Sequence, residues 1–403
     1  MDAAHEFLLI GGGLGLLAIA VGLLAARIGT PVLLVFLALG MLAGEDGPGG
    51  IVFDDFAVTY LAGSVALVVI LIEGGLKTSV ATIRSVWAPA IALATVGVML
   101  TAGIVGVVAA EHYHVPWPLA LGLGAIVAPT DAAAVASVLR AARVAVPARV
   151  TAVLEVESGI NDPVSVFLTV LLVEIALMPA GTVGGVGLLE HSLLLLLEEM
   201  GGGAVLGVAG GWLLRQSVKR LPGQADLHPV LLLTGCLALF GTAQMLHASG
   251  FLAVYVAAVL VRTGAGDAMH ELERTFEGFA WIAQTALFLL LGLLVTPHDL
   301  LPLLLPSLVL ALVLIVVARP LAVLVCLKPF GFSWRETGFV GWVGLRGGVP
   351  LYLAIIPVLE RVPQAERGFA AAFVIVLASL VVQGWTVAPA ARWLGFGRPR
   401  PRT

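Results

Sequence analysis

The chain has 403 residues, of which 60% are hydrophobic and 11% are charged, and its formal net charge is −4. Soluble globular domains carry about 25% charged residues, so this composition excludes a chain of ordinary soluble domains and predicts a polytopic membrane protein. The two cysteines, Cys236 and Cys326, lie in apolar runs without disulfide or metal-ligand spacing, so they predict neither a disulfide framework nor a metal site.

Apolar runs long enough to cross a bilayer recur along the whole chain. A spanning helix needs about 20 apolar residues, and the hydropathy pattern predicts thirteen spans joined by short connections. We interpret the first as a permanent span, because Asp2 and Glu6 stand where a cleaved signal peptide carries positive charge. The predicted spans are residues 7–26, 31–45, 57–76, 88–110, 117–139, 150–178, 192–214, 228–246, 249–263, 275–295, 300–327, 335–358 and 368–391.

The basic residues predict how the spans are oriented. With the N-terminus outside, 17 of the 21 lysines and arginines fall in cytoplasmic connections or in a cytoplasmic C-terminal tail. Arg361 and Arg367 fall outside, and Arg319 and Arg346 lie within spans. This bias follows the positive-inside rule. We expect a multi-pass protein of the bacterial inner membrane with its N-terminus outside and its C-terminus in the cytoplasm.

Two predicted spans are interrupted. The fifth contains Pro129 beside Thr130 and Asp131, and the twelfth places three glycines and Pro350 around Arg346. Proline removes a backbone donor and clashes with the preceding turn, and freed backbone groups in a membrane must face protein or water. If spans 1–6 and 8–13 are inverted repeats, the two interrupted spans correspond, which is typical of a transporter site.

The sixth span carries an unusual polar stripe in the segment LEVESGINDPVSVFLTV. At helical spacing, Ser158 shares a face with Asp162, and Glu157 shares a face with Asn161. Ionisable residues inside a membrane are costly and usually functional. We predict that proton and cation compete for Asp162. Oxygens of Asp162, Asp131, Thr130 and Ser158, with carbonyls freed near Pro129, could surround a monovalent cation. The alternative is a hydrogen-bonded packing network.

Other charged residues in or near the spans could form ion pairs or line a route to the site. A buried arginine needs a carboxylate or carbonyl partner, and we expect Glu157 to pair with Arg319, with Arg346 as the alternative partner. Arg319 could instead extend to the inner interface. Glu73 and Glu155 could line an access funnel, although Glu73 could simply pair with Lys77 at a helix end.

The motifs TDAAAV, LEVESGINDP and WVGLRGGVP together resemble the monovalent cation/proton antiporter family, in its NhaP-type branch. The segments FLALGMLAGEDGPGG, FLAVYVAAVL and LFLLLGLLVTPHDLLP make the chain similar to the bacterial potassium/proton antiporter subgroup. The resemblance implies the sodium/proton antiporter fold, an all-α membrane protein of thirteen helices with inverted repeats and two crossed, broken helices. It also implies a homodimer.

The same resemblance implies two functional domains and a short tail. A scaffold and dimerisation domain would comprise residues 1–83 and 192–295, a core ion-transport domain residues 84–178 and 300–395, and a cytoplasmic tail residues 396–403. Asp162 would be the proton- and cation-binding carboxylate and Asn161 its companion, with Thr130, Asp131 and Ser158 around the cation. An asparagine at position 161 implies electroneutral exchange.

We therefore expect an antiporter that exchanges K⁺ for H⁺ and serves pH homeostasis. An Na⁺(Li⁺)/H⁺ antiporter of the same fold is the alternative, and a cation channel is the alternative from a different class. Channels build filters from carbonyl or charged rings around a pore, and one aspartate between two broken helices suits alternating access better. An enzyme is not expected. We expect no cofactor, membrane lipid as surroundings, and no nucleic-acid partner.

Overall fold

The computed structural model describes residues 2–28, 31–178, 185–221 and 226–397. Within these ranges the secondary structure is helical, apart from an isolated bridge between Gly44 and Ile51. The helices of the first part are α1 (Asp2–Ile28), α2 (Val32–Ala43), α3 (Phe56–Lys77), α4 (Val80–Ala92), α5 (Val98–Tyr113), α6 (Trp117–Ile126), α7 (Ala132–Ala141) and α8 (Ala148–Leu177).

The helices of the second part are α9 (Gly185–Arg220), α10 (Leu227–Met245), α11 (Gly250–Arg262), α12 (Met269–Leu293), α13 (Pro297–Val313), α14 (Arg319–Leu327), α15 (Trp334–Trp342), α16 (Gly348–Leu353), α17 (Ile355–Leu359) and α18 (Ala365–Trp393). Short 3-10 turns at 266–268 and 328–330 lie between them. Helices α4 and α5 join through a π-helical segment at 93–97, and α13 and α14 through another at 314–318.

The predicted fold class is confirmed, since each of the thirteen predicted spans coincides with one continuous or interrupted helical segment of the described chain. Within the described residues, eight helical stretches are long and apolar enough to cross a membrane by themselves. Several helices run past their predicted ends. For example, α12 begins at Met269 rather than at 275, because its first turns carry charged residues that a hydropathy window rejects but a helix extending beyond the hydrocarbon accepts.

Three of the predicted domain limits fall inside helices rather than between them. Residue 84 lies inside α4, which begins at Val80 because the Ser79 side chain accepts a hydrogen bond from the N–H of Thr82 and caps the helix. Residue 192 lies inside α9, and residue 300 lies inside α13. Under the expected division into two groups of helices, each of these limits therefore moves to the connection before the helix.

The two π-helical segments occupy the fourth and eleventh spans, which correspond in an inverted repeat of spans 1–6 and 8–13. A π-helical insertion widens one turn and is frequent at functional sites. The second segment ends directly before Arg319. Helix α14 packs on the first segment, where the Cys326 thiol donates to the Ala92 carbonyl at 3.4 Å. The matching positions support the expected repeat.

Both predicted breaks are present. Residues 127–131 separate α6 from α7, and residues 343–347 separate α15 from α16. The two non-helical segments meet in the interior, where the N–H of Asp131 donates to the Leu345 carbonyl at 2.8 Å. This contact places the ends of four half-helices around one point, beside the middle of α8.

The helices beside this core pack closely through small residues. Helix α12 packs on α2 and α3, while α11 packs on α3 and α9. A Cβ atom added at Gly40 of α2 would lie only 2.8 Å from the Gly292 Cα of α12. Small residues allow such backbone approach between membrane helices, where dispersion contacts replace the hydrophobic effect as the driving force.

Candidate cation site

A cavity of about 350 Å³ collects most of the residues that the sequence singled out. Its lining includes the four predicted cation ligands and both predicted funnel residues: Thr130, Asp131, Ser158, Asp162, Glu73 and Glu155. Asn161, Glu157, Arg319 and Arg346 lie behind this lining and are buried. The cavity extends to Lys77 and Arg140, which stand in the last turns of α3 and α7.

The break in the fifth span is held by Ser158 of α8. The Ser158 hydroxyl donates to the Thr130 carbonyl at 3.0 Å and accepts the N–H of Ala132 at 3.4 Å. Both backbone groups belong to the segment around the break, where helical partners are missing. Ser158 therefore satisfies the interrupted backbone from the neighbouring helix, as freed polar groups at membrane depth require.

Asn161 reaches the same break from the next face of α8. Its side-chain amide donates to the Thr130 hydroxyl oxygen at 3.0 Å. Its own Oδ1 is buried and has no hydrogen-bond partner in the described part of the chain. Because the Thr130 hydroxyl accepts this bond, its hydrogen remains available to a carboxylate or a water molecule.

Asp131 has two structural contacts that fix its position. It is the N-cap of α7, where Oδ1 accepts the N–H of Ala134 at 2.9 Å. Its main-chain N–H is the one that reaches Leu345 in the other break. Its second oxygen, Oδ2, lies against Gly347, where any side chain would overlap the carboxyl group. One oxygen of Asp131 is thus used by the fold and one faces the crossing.

Asp162 differs from its neighbours because it has no such partner. It lies one turn beyond Ser158 on α8, and its side chain is partly exposed to the cavity. Its carboxylate forms no hydrogen bond or ion pair with any described residue. A carboxylate that lines a cavity inside a membrane protein without a protein partner can take up a proton or a cation.

Glu157 and Arg319 form a buried, two-pronged ion pair. Arg319 Nη1 lies 2.5 Å from Oε1 and Nη2 lies 2.9 Å from Oε2, and the residues are 3% and 0% exposed. This burial is incompatible with Arg319 extending to the interface. Arg346, the alternative partner of Glu157, instead donates from Nη1 to the Pro129 carbonyl at 3.2 Å. Its backbone N–H donates to the Ser379 hydroxyl.

Gln383 completes the support of the second break. Its Nε2 donates to the Trp342 carbonyl at 2.6 Å, and its Oε1 accepts the Ser379 hydroxyl at 2.6 Å. The carbonyl of Trp342 lies at the end of α15, where the helical acceptors lose their partners. Gln383, in the middle of the thirteenth span, therefore supplies a hydrogen-bond donor to the interrupted backbone of the twelfth span.

Charged residues of alternating sign line the cavity at the end of α3. Lys77 forms an ion pair with Glu73 and lies 3.6 Å from Glu277 of α12. Glu155 and Arg140 line the same region. Glu73 thus lines the cavity and also pairs with Lys77 at the helix end.

The lining also includes residues that the sequence analysis did not assign to the site, among them Tyr255, Gln284 and Glu277. Glu277 and Gln284 are seven residues apart on α12 and share one face, so helical spacing could have joined them. Tyr255 carries no such signal, because an aromatic residue in an apolar run looks like ordinary core.

Comparisons with known proteins agree with this geometry. The family model described as sodium/hydrogen exchanger, transmembrane, matches residues 15–393. A protein named K(+)/H(+) antiporter NhaP2 from Shewanella sp. (strain MR-4) is 43% identical over 392 residues, which is 97% of this chain and 67% of that protein. The K(+)/H(+) antiporter NhaP of Alkalimonas amylolytica is 43% identical over 402 residues, which cover 99% of this chain and 69% of the relative.

A solved structure shares the fold. The sodium proton antiporter MjNhaP1 from Methanocaldococcus jannaschii superposes with a TM-score of 0.80 at 24% identity, covering 95% of this chain and 98% of that one. The family match spans both broken helices and the whole of α8, the elements that build the cavity. This multi-pass membrane protein therefore belongs to the sodium/hydrogen exchanger family.

Proposed function

We propose that this chain is a secondary antiporter that exchanges K⁺ for H⁺ by alternating access, with the two ions competing at Asp162. The observation that carries the proposal is the unpartnered Asp162 carboxylate in a cavity that also presents oxygens of Asp131, Thr130 and Ser158. The names of the two relatives at 43% identity support K⁺ as the cation.

The chemistry follows from charge neutralisation. A lone carboxylate is costly inside a membrane, so the site reorients only when Asp162 holds a proton or a cation. Hard monovalent cations prefer oxygen ligands, which the Asp131 carboxylate and the Thr130 and Ser158 hydroxyls supply around Asp162. Binding of either ion excludes the other, because both use the same carboxylate oxygen.

The stoichiometry follows from the companion residue. Asn161 carries no titratable charge, and its amide is already bonded to Thr130. Asp162 therefore exchanges one proton for one cation, and the cycle moves no net charge across the membrane. Exchange of this kind contributes to pH homeostasis.

The arginines keep the site in position without taking part in exchange. The Glu157–Arg319 pair joins α8 to the eleventh span. Arg346 places its charge on the Pro129 carbonyl, beyond the C-terminal end of α6. Cations are stabilising at helix C-termini, where the free carbonyls concentrate negative partial charge.

We also propose an orientation and an assembly for the antiporter. Lys77 and Arg140 lie at the end of the bundle that the positive-inside rule assigns to the cytoplasm, so the cavity opens inward. Helices of spans 1–3 and 7–10 form a scaffold and dimerisation domain of a homodimer in the bacterial inner membrane. Spans 4–6 and 11–13 form the moving core.

The test is proton flux in liposomes loaded with a pH-sensitive dye, driven by K⁺, Na⁺ or Li⁺ in turn, with and without a clamped membrane potential. We expect K⁺-driven proton movement that the clamp leaves unchanged and that Asp162→Asn abolishes. Larger flux with Na⁺ or Li⁺ would assign the alternative cation. Cation movement without proton return would identify a channel and overturn the proposal.

A further inference from the structure

The ring of Tyr255 lies directly on Gly159. Tyr255 belongs to α11, whereas Gly159 is the residue of α8 that follows Ser158. A Cβ atom added to Gly159 would lie 2.6 and 2.8 Å from two carbons of the Tyr255 ring, so only glycine fits there. The Tyr255 ring of α11 thus occupies the space that a side chain at position 159 of α8 would fill.

Gly159 also has an unusual carbonyl. A helical carbonyl accepts the N–H of the residue four positions later, and that residue is Pro163, which has no N–H. The carbonyl of Gly159 therefore lacks its ordinary helical donor. Gly159 lines the cavity together with Ser158 and Asp162, and a freed carbonyl at membrane depth is tolerated where it faces protein donors or water.

The hydroxyl of Tyr255 is also without an ordinary partner. Tyr255 is 4% exposed and lines the same cavity. Its hydroxyl lies near Thr78 but makes no hydrogen bond of normal geometry with the described residues. The Thr78 hydroxyl donates to the Gly74 carbonyl instead. Buried tyrosine hydroxyls usually find a partner, so this one is available to a bound ion or its hydration water.

We propose that the Tyr255 hydroxyl and the Gly159 carbonyl complete the cation site on the α11 side, as oxygen ligands to the cation or its inner water shell. This inference rests on the proposed cation exchange and adds two oxygens that the polar stripe of α8 does not reveal. The other proposed ligands come from α8 and the break near Pro129, while Tyr255 comes from a helix that packs on α3 and α9. The full oxygen set therefore exists only while these helices are in contact.

The decisive variant is Tyr255→Phe, which removes the hydroxyl and keeps the ring on Gly159. Loss of one oxygen ligand to the cation, taken to be similar in free energy to a hydrogen bond to a charged group, should raise the half-saturating K⁺ concentration about tenfold, with the maximal rate changed less than about twofold. The measurement is K⁺-driven proton flux at fixed pH, together with K⁺ binding to the purified protein by calorimetry. Melting temperature reports whether the variant is folded.

Tyr113→Phe is the matched control. The Tyr113 hydroxyl is bonded to Ser307 at 2.7 Å and lines a different cavity. This variant loses a tyrosine hydroxyl with a real partner, so it should lower stability while the half-saturating K⁺ concentration stays at the wild-type value. Pro163→Ala is a second test, because it restores a donor to the Gly159 carbonyl and should weaken K⁺ binding in the same direction as Tyr255→Phe.

The outcomes separate this inference from the proposed function. If folded Tyr255→Phe binds and transports K⁺ with wild-type affinity while Asp162→Asn is inactive, the exchanger stands and the additional ligands are wrong. An equal loss of affinity in Tyr113→Phe would also overturn the inference, because it would indicate a general effect. If wild-type protein shows no K⁺-driven proton flux, the proposed function itself fails, and calorimetry still reports whether Tyr255 contributes to K⁺ binding.

Discussion

The N–H of Asp131 donates to the carbonyl of Leu345 at 2.8 Å, and this bond joins the two broken helices at their crossing. The residues are more than 200 positions apart in the chain, yet each lies at an interruption of its own span. Because the bond uses the main chain of Asp131, it leaves the second carboxylate oxygen at the crossing while the first caps α7. The crossing and the proposed ion site therefore share Asp131.

Asp162→Asn should abolish exchange while the protein remains folded and inserted. Asparagine has nearly the same shape but does not titrate, and the native carboxylate has no described protein partner whose loss would destabilise the fold. The measurement is cation-driven proton flux in liposomes, beside a melting curve. Asp55→Asn is a suitable control, because Asp55 is exposed and caps α3 far from the cavity. Wild-type turnover in Asp162→Asn would count against the mechanism.

Glu157→Ala should destabilise the protein by about 3–5 kcal/mol, because it leaves Arg319 buried without a counter-charge. The measurement is the shift in thermal unfolding and the yield of purified protein. Removing both charges together, with Glu157→Leu and Arg319→Met, should cost less than the single change, since no uncompensated charge remains. Normal melting of Glu157→Ala would contradict the structural role of the pair.

Gly347→Ala should inactivate the protein with a modest loss of stability. A methyl group at this position would overlap the Asp131 carboxyl group, so Asp131 must move away from the crossing or the break must widen. Gly338→Ala on α15 is the matched control, since a Cβ there meets no atom within 4 Å. The measurement is the exchange activity of both variants in liposomes. If Gly347→Ala is as active as Gly338→Ala, exchange does not depend on the position of the Asp131 carboxyl group.

Asp46→Asn should remove a pH-dependent contribution to stability outside the membrane. The N–H of His298 donates to the Asp46 carboxylate at 2.8 Å and lowers the pKa of Asp46, with smaller contributions from the His298 ring. A depressed pKa in the folded state means stabilisation above the ordinary value of about 4 and loss of it as pH falls through the folded value.

The wild type should therefore lose more stability than Asp46→Asn when the pH is lowered from about 5 to about 3, a range in which the His298 ring, whose pKa Asp46 raises, is already protonated. Thermal unfolding of the two proteins across a pH series measures the difference. If the melting temperatures of the two proteins fall equally as the pH is lowered, the contact between Asp46 and His298 contributes no pH-dependent stability.

Local patterns in the chain carry much of this structure. Runs of apolar residues set the spans, because the hydrocarbon thickness requires about 20 of them. Pro129 and the glycines around Arg346 mark both breaks, since backbone geometry is a local property. The polar stripe of Ser158 and Asp162 is visible because residues four apart share a helix face. Helix ends were less accurate, as at Met269, because charged turns continue a helix that hydropathy no longer detects.

Contacts between distant segments required the tertiary structure. From the sequence, Glu157 could pair with Arg319 or, as the alternative, with Arg346. Only the packing of the eleventh span against α8 shows that Arg319 pairs with Glu157 and that Arg346 donates to the Pro129 carbonyl. The dual use of Asp131 and the position of Tyr255 over Gly159 are decided in the same way. By itself, the sequence determined the spans, the breaks and the polar stripe, because these depend on neighbouring residues. The partners of the buried groups depend on which helices touch, and only the folded bundle decides that.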